Sequence, residues 1–277
     1  MARDNNRFNQ ILFVDSLPSG RQSNMAKRLF EDIQSYAVAC APSPAVKYVR
    51  AANGAALLAC LAHARVLAAE EDVLPMLHIE CHGSEDGLEL ADESFMEWSE
   101  LKAPITALNI ATRLNLMVAV AACAGGAFAK MTTLSDRAPF WGLIGPTKTL
   151  YAADLDKAFR ALYLTLLSAK SPAKAIEAMN QASEPGLFWR TTSQGLFEKA
   201  WTGYKKRFCT PAELDKRAKR MRKRARALSP QSAPTIAQMK RRLIEHEPTA
   251  FEVYRKTFFM CDLYPEHNSR FPIPYVP

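Results

Sequence analysis

Apolar residues in the first two-thirds of the chain fall either in short unbroken runs or at helical spacing. Residues 11–15 (ILFVD) form a run of strand type, followed by a polar turn, SLPSG. Met25, Leu29, Phe30, Ile33 and Tyr36 then share one helix face. AVKYVRA (45–51) alternates as a strand does, and Asn53-Gly54 opens an Ala- and Leu-rich helix to about Glu70. VLPMLHIEC (73–81) predicts a third strand, GLELAD (87–92) a small hairpin arm, and the segment near 104–113 a helix. Further strands are expected at 116–123 (LMVAVAAC) and 140–146 (FWGLIGP). Leu155, Phe159, Leu162, Tyr163, Leu166 and Leu167 mark an amphipathic helix, and SPAKAIEAMNQA (171–182) starts another.

Strand and helix in repeated alternation predict an α/β fold, a mainly parallel sheet with helices on both faces. The alternation fades near residue 185, and the rest reads as helices and irregular segments ending in FPIPYVP. The expected organisation is therefore an α/β domain over 1–185 and a basic, mostly helical C-terminal extension over 186–277.

Composition narrows this further. Apolar residues are 48% of the 277, ample for a core, and no 18-residue apolar run predicts a membrane span. The polar start MARDNNRFNQ, followed only by ILFV, is no secretory signal, so a cytoplasmic protein with no membrane partner is expected. Six cysteines lie scattered without CxxC pairs or His spacing, which argues against a zinc site and against a disulfide scaffold. The net charge is +8, and the run KRAKRMRKRAR (216–226) alone holds eight Lys/Arg and no acid.

Two runs end in residues with chemistry. The strand at 73–81 stops on His82-Gly83, and the strand at 116–123 stops on Cys123 before AGG. In an open parallel sheet, functional groups gather outside the carboxyl ends of the strands. If these two strands are neighbours, imidazole and thiol face one crevice, the arrangement for histidine-assisted attack by a cysteine. Gly83 allows a tight turn, and its N–H together with that of Cys123 offers an oxyanion hole. Either residue alone is more often an ordinary turn or core residue; the recurrence of both, each closing an apolar strand, favours the functional reading.

LHIECHGSEDGLEL followed by AVAACAGG, with 41 residues from His82 to Cys123, resembles the caspase-like cysteine peptidases of clan CD. Caspases carry Gln-Ala-Cys-x-Gly with a histidine roughly 50 residues upstream; here Ala121 takes the glutamine place. The intervening DGLELADESFMEWSELKAPITALN is similar to bacterial caspase-like and CHAT-type proteases, in which a hairpin leads into a Trp-x-x-Leu helix. The likeness runs from about residue 8 to 182. It implies a caspase-like three-layer α-β-α sandwich, with His82 as general base or imidazolium partner, Cys123 as nucleophile, and no cofactor. Only AGGAFAKMTTLSDRAP separates Cys123 from the next strand, too little slack for the cleavable linker of true caspases. A single-chain enzyme switched on by an activating partner protein or a nucleotide ligand is expected instead. Caspase-like proteins also serve as effectors in bacterial defence, which makes an antiviral role the matching expectation.

For substrate binding, metacaspases place an acid two residues before the cysteine, where this chain has Ala121. GPTKTLYAADLDKAF resembles a segment of separase- and CHAT-like enzymes in which an aspartate contacts an arginine; Asp154 matches it, with Asp156 behind, although a helix-capping role competes. Asp86, after His82, is the weaker candidate, and a turn residue otherwise. His78 is expected to be structural or at most to support a residue that touches substrate, and Cys81 to face the other side of the strand. In the basic run, Lys216, Arg217, Lys219, Arg220, Arg222, Lys223, Arg224 and Arg226 read either as a solvated helix face or as an anion-binding surface, with few aromatics to stack single-stranded nucleic acid.

The sequence thus points to a cysteine endopeptidase acting on protein substrates, with a preference for cleavage after a basic residue. The alternative is a non-catalytic α/β binding module that works through its basic C-terminal surface.

Overall fold

A computed structural model of the chain describes residues 7–18 and 25–276. These described residues fall into two compact units, those within 1–132 and 138–193, and those within 133–137 and 194–277.

The first unit is the α/β part. In order it holds β1 (Gln10–Asp15), α1 (Met25–Ala37), β2 (Ala45–Arg50), α2 (Gly54–Glu70), β3 (Pro75–Glu80), β4 (His82–Gly83), β5 (Gly87–Glu89), β6 (Phe95–Glu97), α3 (Trp98–Ala111) and β7 (Met117–Ala121). A 3-10 helix (Gly125–Met131), β8 (Gly142–Pro146), α4 (Ala152–Ala169), α5 (Pro172–Gln181) and β9 (Phe188–Thr192) complete it. Six strands form one sheet in the order β2-β1-β3-β7-β8-β9, parallel except for β9, which pairs antiparallel with β8. The mainly parallel α/β sheet expected from the alternation is the one that forms. It takes in one strand more, β9, beyond the point where the alternation fades.

The chain runs outward from β1 to β2, then returns past β1 to β3. Right-handed crossovers therefore put α1 on one face and α2 and α3 on the other. On the α1 face, Ile11, Phe13, Met76, Met117, Ala119 and Ile144 pack with Leu29 and Ile33 of α1, with Phe159, Leu162, Tyr163 and Leu166 of α4, and with Met179 of α5. Leu12, Val14, Leu77, Ile79, Val118 and Leu143 alternate to the opposite face and are buried as well, as a sheet covered on both sides requires. Each such side chain contributes about 1.5–3 kcal/mol when fully buried.

Local signals explain most boundaries. Asn53 caps α2, its Oδ1 accepting from the Ala56 N–H at 3.0 Å. The helix expected near 104–113 begins earlier, at Trp98, because Glu97 and Glu100 form a capping box and Trp98, Leu101, Ile105 and Leu108 make one buried stripe through Pro104. Pro104 lies inside the helix.

The second unit holds α6 (Ser193–Phe208), α7 (Pro211–Leu228), α8 (Ile236–Glu245), α9 (Glu247–Phe258) and α10 (His267–Arg270). Its core is aromatic: Phe197 sits 5.3–5.5 Å from Phe251, Phe258 and Phe259, and Trp201 packs on Phe251 and Tyr204. Arg137 makes two hydrogen bonds to the Asp262 carboxylate, at 2.8 and 2.6 Å, which lowers the Asp262 pKa. Among the described residues no helix is long and apolar enough to cross a membrane.

Candidate active site

β3 ends at Glu80, and after Cys81 the chain changes partners. His82 and Gly83 form β4, which pairs antiparallel with β5 in a separate three-stranded sheet (His82 opposite Glu89, Gly83 opposite Leu88). The histidine-glycine stop is thus the point where the chain leaves the parallel sheet. β7, next to β3, ends at Ala121; after Cys123 comes Ala124, in the left-handed region at φ 54°, and the 3-10 helix follows. A Cβ on Gly125 would lie 2.7 Å from Val120 Cγ1, so glycine is needed for the chain to fold back on the strand it has just left.

The two stops meet. A Cβ on Gly83 would lie 2.7 Å from the Cys123 carbonyl oxygen, 2.8 Å from Ala122 Cβ and 3.4 Å from the Cys123 nitrogen. Gly83 therefore rests directly on the Ala122–Cys123 backbone. His82 and Cys123, both half-buried, line one narrow cavity of about 80 Å³ with Leu17, Met25, Glu80, Cys81, Ala121, Leu150, Ala152 and Leu155. It lies at the carboxyl ends of β1, β3 and β7, beside the point between β1 and β3 where the strand order reverses, the usual ligand site of such a sheet. Among the described residues the Cys123 N–H donates to no backbone carbonyl.

The charge in this cavity comes from a residue the sequence reading left out. Glu80, 5% exposed, takes a hydrogen bond from His78 Nε2 at 3.3 Å, and His78 Nδ1 lies 2.9 Å from the Tyr163 hydroxyl. The network assigns the tautomer: Nε2 donates to the carboxylate and Nδ1 accepts from the phenol. His78, fully buried, touches the cavity only through Glu80. Burial and the nearby Glu80 push the Tyr163 pKa well up. No donor among the described residues reaches the second Glu80 oxygen. Beside it, Asp15 of β1 is fully occupied: it accepts from Arg50 at 2.7 Å, the Tyr48 hydroxyl at 2.6 Å and the Leu17 N–H at 2.9 Å. A carboxylate inside the otherwise apolar run PMLHIEC was the available signal for Glu80.

Cys81, expected to face away, also lines the cavity; burial and the charges of Glu80 and Asp15 push its thiol pKa far up, so it stays protonated. Neither aspartate candidate lines the cavity. Asp154 is exposed in the first turn of α4, where its charge suits the helix N-terminus, while Ala152 and Leu155 of the same helix turn inward. Asp86 is exposed in the turn between β4 and β5, its N–H bonded to Ser84 Oγ at 3.2 Å.

The eight basic candidates all lie on α7 in the second unit, but not on one surface. Arg222 turns inward, with its Nε buried and unpartnered among the described residues, and Arg217 donates to the Phe208 carbonyl at 3.0 Å. Lys216 pairs with Glu213 and Lys219 with Asp215, both at 2.7 Å. Arg220, Lys223, Arg224 and Arg226 are exposed.

No family model matches the chain, and no curated protein matches it. Among solved structures the chain is similar to the caspase-1 of Spodoptera frugiperda, at 10% identity and a TM-score of 0.47, over 69% of this chain and 88% of that one. A likeness of that degree says nothing of chemistry.

Proposed function

We propose that the protein is a cysteine endopeptidase that works through Cys123 and His82. The observation that carries this reading is that His82 and Cys123, brought in at the ends of neighbouring strands, line a single cavity, with Gly83 packed against the Cys123 backbone. His82 takes the thiol proton, and the Cys123 sulfur attacks the scissile carbonyl. The Gly83 and Cys123 N–H groups receive the developing oxyanion. His82 then protonates the leaving amine, and water, deprotonated by the same imidazole, hydrolyses the thioester. Every group that this sequence of steps needs belongs to the chain.

The preference we propose is for a basic residue before the cut, read by Glu80. Its buried carboxylate has one oxygen held by His78 and the other facing no donor among the described residues. A cationic side chain would satisfy it, whereas an acidic one would meet unscreened repulsion. The test is a library of fluorogenic peptides differing in the residue before the cut. Wild type is expected to cleave after arginine or lysine, Cys123→Ala to be inactive, and Glu80→Gln to lose the preference while still cutting. Turnover by Cys123→Ala, or a basic preference undiminished in Glu80→Gln, would contradict the assignment.

A further inference from the structure

We propose that the outer face of α7 is a docking surface for the phosphate backbone of a nucleic-acid duplex. This goes beyond the peptidase reading and does not depend on it.

Charge is sharply segregated along the chain. Residues 194–277 hold 18 Lys/Arg against 8 Asp/Glu, while residues 1–193 hold 18 against 20. Within α7 the segregation is also angular. Leu214 and Ala218 form the buried stripe. At about 100° per residue, Arg220, Lys223, Arg224 and Arg226 fall within an arc of about 160° centred opposite that stripe. All four are exposed and make no hydrogen bond or ion pair among the described residues, unlike Lys216, Arg217 and Lys219 one turn earlier.

Linear charge density selects the partner. Four cations within about 9 Å of helix axis give roughly one per 2–3 Å. A nucleic-acid duplex carries one negative charge per ~1.7 Å. An extended acidic peptide offers at most one carboxylate per ~6.6 Å on the side that faces the helix. An anionic membrane surface is disfavoured by the other side of α7. A membrane-surface helix buries an apolar face in lipid, yet Leu214 and Ala218 are already covered, and the exposed large apolar side chains of α7 are Met221 (39%) and Leu228 (86%), too few to make such a face. The exposed arc carries no aromatic residue to stack unpaired bases, which favours a duplex over a single strand.

The experiment is fluorescence anisotropy of the full chain against a short mixed-sequence DNA duplex over a salt series. If the four cations each displace one counterion, log Kobs against log salt has a slope of about −3.6, a roughly 100-fold loss of affinity between 50 and 200 mM. The variant Arg220→Gln/Lys223→Gln/Arg224→Gln/Arg226→Gln is expected to lose at least tenfold in affinity and most of that slope. Lys47→Gln/Arg65→Gln/Lys157→Gln/Lys174→Gln, which removes as many exposed charges elsewhere, is expected to lose little. Failure of wild type to bind, equal loss in both variants, or equal or tighter binding to anionic vesicles or polyglutamate would overturn the proposal.

Discussion

Gly83→Ala and Gly203→Ala are the same chemical change, and the structure assigns them opposite signs. At Gly83 the new methyl group would sit 2.7 Å from the Cys123 carbonyl oxygen and 2.8 Å from Ala122 Cβ, closer than real Cβ contacts come, and two of its three neighbours are backbone atoms of Cys123, which cannot swing aside as a flexible side chain does. The strand-end backbone must shift, an overpacking cost of about 1–3 kcal/mol. For a protein of this size that is a fall in Tm of roughly 2–12 °C. At Gly203, exposed within α6, nothing lies within 4 Å of the new atom. There alanine restricts the unfolded chain and favours the helix, a gain of about 0.5–1 kcal/mol. Differential scanning calorimetry of both variants, paired with the alkylation rate of Cys123, separates packing from function. Gly83→Ala is expected to lower the Tm and slow alkylation of Cys123 in the folded protein; Gly203→Ala is expected to raise the Tm and leave that rate alone. A Gly83→Ala protein with wild-type Tm and wild-type thiol reactivity would refute the contact between the two strand ends.

Two further expectations concern the buried polar groups. Tyr163→Phe strips the partner from His78 Nδ1 in a fully buried site and is expected to cost about 1–3 kcal/mol in urea denaturation; a cost under about 0.5 would mean that the Tyr163–His78 bond is not made. Stability should fall as the pH rises above about 9, where thiols and then phenols of the unfolded chain ionise. Burial holds Cys81 and Tyr163 protonated in the folded chain, so the folded state binds more protons than the unfolded one and ΔG declines with pH. Urea midpoints across that range should show this decline, and Cys81→Ala should flatten its first part; an unchanged slope would place the effect elsewhere.

What the sequence made legible and what it hid follow from the same physics. Strands buried on both faces read as unbroken apolar runs, so β1, β3, β7 and β8 announce themselves, and with them the strand ends that carry His82 and Cys123. β9 is an edge strand, FWRTT, with Arg190 and Thr192 exposed, so no run marks it. α3 starts earlier than the segment near 104–113 suggests, at the Trp98 of the Trp-x-x-Leu motif, where the Glu97–Glu100 cap holds its first turn and Pro104 is carried inside. Glu80 stands out only as an acid in a buried strand; what holds it there, the His78 imidazole that is itself bonded to Tyr163 across the fold, is a tertiary contact. The basic run was plain as a composition, but which of its eight cations face water depended on where Leu214 and Ala218 pack.

The most direct test of the central claim is competitive alkylation of the six thiols by a substoichiometric peptidyl electrophile ending in arginine, with mass-spectrometric site mapping, on wild type and on His82→Ala. The account predicts that Cys123 is labelled far ahead of Cys40, Cys60, Cys81, Cys209 and Cys261, and that His82→Ala abolishes that lead without altering the other five. Labelling of Cys123 no faster than the other half-buried thiols, Cys40, Cys60 and Cys209, or equally fast without His82, would contradict it.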